Sequence, residues 1–197
     1  MAERATGHSP RCFPSRAGGP PARLVGRRAG KIARPDYPPP MFLIPSEEAL
    51  AMAFRPRDRK VLEPPMGVTY PLFVRDYRAW VEPAGARVFV VLQDPASQRL
   101  LGIAFRRVGG GGQGLAGRMC EWCHHHGSAE EVGLLTTARS SKRIVGVWVC
   151  LDLRCADRIQ EAADLAGRSA LEPKRRMLER LQRFAREGLG IDQVPAA

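Results

Sequence analysis

Apolar positions are scarce and unpatterned over residues 1–40 and recur with clear periods beyond them. The first apolar cluster, Met41-Phe42-Leu43-Ile44, directly follows Pro38-Pro39-Pro40. Ser46 suits the N-cap of a short helix, with Glu47 and Glu48 at the positive end of its dipole and a stop near Pro56. Two β-rich apolar runs, 88–92 and 100–105, flank Gln93-Asp94-Pro95-Ala96-Ser97 and predict a hairpin. Two more strands are expected at 132–138 and 144–149, with Ser140-Ser141-Lys142 in the turn between them; the second runs straight into Cys150. A short helix is expected over 156–165 and a longer one over 173–187, with Pro173 in its first turn and Gly188 at its stop. In that last helix Met177, Leu181 and Phe184 recur at i, i+4 and i+7, an apolar stripe expected to pack on its own domain. Lys174, Arg175, Arg180, Arg183 and Arg186 form its opposite face. The pattern predicts an α+β domain over residues 41–190, a small antiparallel sheet with flanking helices.

Composition changes the picture mainly at the N-terminus. Residues 1–40 hold eight of the seventeen prolines and alternate arginine with glycine. Such a stretch cannot bury enough apolar surface to offset its ordering entropy, so a disordered basic tail is expected, and Met41 becomes a candidate biological start. The formal charge is +11, of which residues 1–40 contribute +6 (eight Arg/Lys against two Asp/Glu) and the remaining residues +5. This balance favours acidic partners, either nucleic acid or an acidic protein face, although the folded part is only mildly basic. The tail lacks the apolar core of a signal peptide, and no run approaches the ~20 apolar residues that span a bilayer. A cytoplasmic, reducing setting with no membrane partner is therefore expected, in which closely spaced cysteines hold metal rather than form disulfides. The composition, heavy in Ala, Arg, Gly and Pro, suits a GC-rich bacterial source. Residues 55–60 form a compact basic patch whose plain reading is a solvated loop. Gly109 to Gly112 with Gly114 reads as a hinge, since it lacks the Lys-Ser/Thr of a phosphate loop.

The chemistry-bearing pattern is Cys120-x2-Cys123, then 26 residues, then Cys150-x4-Cys155. Zinc takes four ligands in a tetrahedron, and a two-residue spacer lets two thiolates of one tight turn reach the same ion. Cys150 ends a strand and Cys155 sits where a helix starts, a position that stabilises thiolates. Knuckle, hairpin, then helix is the layout of a treble clef, expected over 117–160. Four thiolates close the coordination shell, so the metal is read as structural Zn2+ and the protein as a non-enzyme. His124-His125-His126 follows the knuckle directly; a ligand swap or a second metal is the alternative to exposed polar residues beside the site. Asp152 is placed to accept N–H bonds from the turn leading to Cys155. Cys12 is left over in the tail.

Three segments carry a family resemblance: Met119-Cys120-x-x-Cys123-His124, Leu135-Thr136-Thr137-Ala138-Arg139, and Val145-Gly146-Val147-Trp148-Val149-Cys150-Leu151-Asp152-Leu153-x-Cys155. They resemble the C-terminal treble-clef domain of elongation factor G-binding proteins, a family that includes fusidic acid resistance proteins. The resemblance spans roughly residues 44–190 and implies a zinc site at Cys120, Cys123, Cys150 and Cys155. It also implies binding to elongation factor G at or near the ribosome, with no small-molecule substrate. The alternative partner is ribosomal RNA, met by the tail, residues 55–60 and the last helix. A zinc hydrolase using the three histidines is disfavoured by the closed thiolate shell. From the residues themselves, Trp122, Lys142, Arg143 and Trp148 are the candidate exposed anchors for a partner.

Overall fold

In the computed structural model, which describes residues 41–108 and 117–191, the elements are set by where apolar side chains find cover. These residues belong to one unit, Tyr37–Ala197. The expected tail and the glycine hinge lie outside the described residues.

Strand β1 (Met41–Ile44) pairs antiparallel with β2 (Leu72–Arg75), placing Phe42 opposite Val74. Between them lie the short helix α1 (Glu47–Met52), capped as expected by Ser46 Oγ accepting from the Ala49 N–H at 3.1 Å, and the helical turn α2 (Pro56–Arg59). The main sheet is antiparallel, with β3 (Tyr77–Val81), β4 (Arg87–Gln93), β5 (Leu100–Arg107), β8 (Val132–Ala138) and β9 (Ile144–Cys150) in that order. A two-residue ribbon, β6 (Arg118–Met119) with β7 (His126–Gly127), forms a separate two-stranded sheet. Helices α3 (Cys155–Leu165) and α4 (Leu171–Arg183) follow, and α4 continues into a π-helical turn, Phe184–Gly188.

The middle strands β4 and β5 are buried on both faces, which is why their sequences are near-continuous apolar runs. One face packs Val88, Val90, Ile103, Phe105, Leu135 and Val147 against Met177 and Leu181 of α4 and Ile159 of α3. The other packs Phe89, Val91 and Ala104 against Phe42, Ile44, Leu50, Phe54 and Val74. Each fully buried Leu or Phe contributes about 1.5–3 kcal/mol. Gly102 makes the second core possible: its N–H donates to Ala53 O at 2.8 Å, and an added Cβ would lie 2.6 Å from the Phe54 ring. On β9, Val147 and Val149 turn into the core, while Ile144 and Gly146 on the opposite face are exposed and Trp148 is half-buried.

Three expectations need correction. Strands β1 to β3 are additions to the sequence reading. Residues 55–60 are not a solvated loop: the Arg55 side chain, 9% exposed, pairs with Asp58 at 2.6 Å. It also donates to Ala138 O at 2.9 Å and Thr137 Oγ1 at 3.1 Å, joined by Arg57, which donates to Arg139 O at 2.9 Å. This latch seats α2 on the tip of the β8–β9 hairpin. The basic face of the last helix, named above as an alternative RNA contact, is partly consumed inside the fold. Lys174 is buried against Asp76 at 3.5 Å, Arg180 donates to Trp122 O, and Arg186 pairs with Asp94. The apolar stripe does pack on its own domain, with Phe184 stacked on Phe105 at 5.7 Å.

Candidate metal centre

Each half of the site is a short turn that a carbonyl hydrogen bond closes. In the first, β6 and β7 pair across the Cys120–Cys123 turn; His124 N–H donates to Cys120 O at 2.9 Å and Cys120 N–H to His125 O at 2.8 Å. His124 takes φ +61°, a left-handed conformation uncommon outside glycine. In the second, β9 ends at Cys150, Leu153 N–H donates to Cys150 O at 3.1 Å, and Leu153 is also left-handed at φ +61°. Asp152 Oδ1 accepts from the Arg154 N–H at 3.1 Å, as expected, and Cys155 is the first residue of α3.

The four sulfur atoms converge, all within 4.8 Å of one another. Cys120 and Cys155 are 3.7 Å apart, and Cys123 and Cys150 are 3.6 Å apart. A tetrahedron with metal–sulfur bonds of about 2.3 Å has edges of about 3.8 Å, so this set is sized for a zinc-like ion. The chemistry of the donors agrees. The neighbouring Cys123 thiol holds Cys120 well below the usual thiol range, while Cys155, which shares its hydrogen bond with Cys120, is pushed far up. Four sulfurs this close cannot all ionise beside one another; a dication among them would deprotonate all four.

Around the sulfurs, the Arg158 guanidinium reaches Asp152 of the second turn at 2.8 Å and the His125 ring of the first at 3.4 Å. Arg158 thus ties the two halves, a role that nothing in its sequence context signals. None of His124, His125 and His126 belongs to the four-donor set; His124 and His126 are exposed and His125 is half-buried. A shallow basin of about 420 Å³ lies outside Cys123, lined by His124, His125, Arg158, Ile159 and Arg168.

The four candidate anchors separate. Trp122 is 1% exposed and is a core residue, wedged between Tyr77 and Phe105 at ring distances of 6.1 and 6.2 Å. As an exposed anchor it is therefore corrected: the tight turn that presents the two cysteines swings the side chain between them inward. Lys142 and Arg143 are exposed in the β8–β9 turn. Trp148 is half-buried on β9, with the Arg118 guanidinium 4.1 Å above its ring. Glu121, which the sequence reading passed over, brackets Trp148: its N–H donates to Trp148 O at 2.8 Å and its carboxylate accepts from Trp148 N–H at 3.0 Å.

Comparison with known families matches residues 49–188 to the FBP C-terminal treble-clef zinc-finger family. Among solved structures, that of the fusidic acid resistance protein FusC is similar at 15% identity and a TM-score of 0.38. The similarity covers 56% of this chain and 48% of that one, so the chain spans about half of that protein's length. A search of curated proteins found no match.

Proposed function

Because the chain belongs to the FBP C-terminal treble-clef zinc-finger family, we propose that it is a non-catalytic module that binds translation elongation factor G, held in shape by a structural Zn2+. The observation that carries the reading is the closed donor set: Cys120, Cys123, Cys150 and Cys155 are all within bonding reach of one ion. When bound, the metal would cross-link a β-ribbon, a strand end and a helix start, and its full thiolate shell would leave no position for an activated water. The protein's own residues then do the work. Arg158 and Asp152 fix the two turns, Trp122 fastens the knuckle to the sheet, and the side chains of Lys142 and Arg143 stay exposed at the β8–β9 turn to meet a partner.

Elemental analysis of the full chain, purified without chelator, should find one zinc per molecule. Immobilised on a resin, the chain should retain purified elongation factor G saturably, before and after nuclease treatment. Retention that disappears with nuclease and falls steeply with salt would instead favour ribosomal RNA. A metal-free preparation that keeps its fold would overturn the structural role of the ion.

A further inference from the structure

We propose that the free edge of β9 accepts an extended acidic–apolar segment of a partner protein as an added β-strand. Strand β9 is the last in the order β3-β4-β5-β8-β9. Arg139 N–H donates to Arg143 O at 2.8 Å, which fixes the parity of the β8–β9 ladder. Residues 145, 147 and 149 therefore turn their backbone groups toward β8, and Ile144, Gly146 and Trp148 turn theirs outward. Those of Trp148 are taken by Glu121. Among the described residues, the outward N–H and C=O groups of Ile144 and Gly146 have no partner, a template for strand addition.

The side chains on this edge add selectivity. Ile144 is 73% exposed and Trp148 is half-buried, both on the sheet face opposite Val145, Val147 and Val149. Gly146 between them carries no side chain, and Leu134 fills that space, its Cδ1 2.9 Å from where a Cβ at Gly146 would lie. The exposed Ile144 and the Leu134 side chain beside it give alternate apolar side chains of an incoming strand a surface to pack on. The ends of the edge are cationic: Arg139, Lys142 and Arg143 at the hairpin tip and Arg118 over Trp148. The nearby carboxylate of Glu121 is already engaged by the Trp148 N–H. This charge selects an acidic strand and disfavours a second copy of this chain, which would bring the same cations to the contact. The inference does not require elongation factor G to be the partner that supplies the strand.

The test uses the full-length, zinc-loaded chain and a synthetic eight-residue peptide alternating Glu with Val. Binding should slow amide exchange at Ile144 and Gly146 specifically, and a Lys–Val peptide of the same length should not bind. Ile144→Glu should weaken binding about tenfold or more at an unchanged melting temperature. Any of three results would overturn the proposal. The first is no peptide binding, or binding that leaves those two amides exchanging freely. The second is concentration-dependent protection of the edge without peptide, which points to self-pairing. The third is single-stranded RNA occupying the edge where the peptide does not.

Discussion

Trp122→Ala tests whether this residue is the fastener between knuckle and core. The side chain is 1% exposed, meets the Tyr77 and Phe105 rings edge-on or tilted, and shares a residue with the carbonyl that Arg180 holds from α4. Truncating a buried Trp typically costs about 3–5 kcal/mol. Some of that is returned, because the indole N–H is buried without a partner and its removal relieves a penalty of about 1 kcal/mol. The net loss is about 2–4 kcal/mol, and at about 2–4 °C per kcal/mol for a chain of this size the melting temperature should fall by roughly 5–15 °C. Trp122→Phe keeps most of the ring and discards the N–H, so it should cost under about 1.5 kcal/mol. Circular dichroism melts with zinc in excess would read both. A Trp122→Ala protein melting within a degree of the parent, yet with weakened partner binding, would restore Trp122 as a surface anchor and refute the packing argument.

Stripping the metal with a strong chelator, or substituting Cys150→Ser, should unfold the region from Gly117 onward. Structural zinc contributes on the order of 10 kcal/mol to such sites, and loss of near-UV dichroism with return on adding zinc would check it. Arg55→Ala leaves the buried Asp58 with only the longer contact to Arg57 at 3.9 Å and should cost about 2 kcal/mol in urea unfolding, with Arg55→Lys failing to restore the forked contacts to Ala138 and Thr137. Asp94 supplies a pH signature. Burial works to raise its pKa, but hydrogen bonds from Ser97 and Ala96 and the charge of Arg186 outweigh it and hold the carboxyl below its usual range. Its contribution is therefore complete above the ordinary carboxylate pKa of about 3.9 and is lost as acid titrates the folded form below that. Asp94→Asn should flatten the acid limb of stability against pH, and an unchanged limb would assign acid sensitivity to other groups.

The sequence made legible what depends on neighbours in the chain. The strands at 132–138 and 144–150 and the 88–105 hairpin carry their own periodicity and turn residues, and the cysteine spacing is a local geometric demand of the metal. Illegible were features that depend on distant partners. Strand β1 has four residues and is completed only by β2, which is equally short and whose Phe73 is exposed although apolar. In β3, Arg78 interrupts the run that Tyr77 and Trp80 anchor. Lys174, Arg180 and Arg186 read only as the face opposite the apolar stripe because their acceptors, Asp76, the Trp122 carbonyl and Asp94, come from segments far away in sequence. Trp122 misled for a related reason, since next to Glu121 it looks like a surface aromatic.

These consumed cations bear on the choice between protein and RNA. Residues 41–197 hold +5 of the +11 formal charge, a count that omits cysteine. One dication held by four thiolates carries a net −2, so in the zinc-loaded form proposed above the folded part falls to +3. Much of the remaining positive charge is committed inside the fold: Arg55, Arg57, Arg107 and Arg180 cap backbone carbonyls, while Arg158, Lys174 and Arg186 pair with aspartates. Along the β9 edge, Arg139, Lys142 and Arg143 at the hairpin tip and Arg118 over Trp148 are the cations placed to meet a partner. Four phosphate contacts to a single strand would give a log–log salt slope of about −3. A fragment beginning at Met41 whose RNA affinity falls with a slope well beyond that would place the RNA elsewhere on the fold and undo the case for an acidic protein partner at this edge.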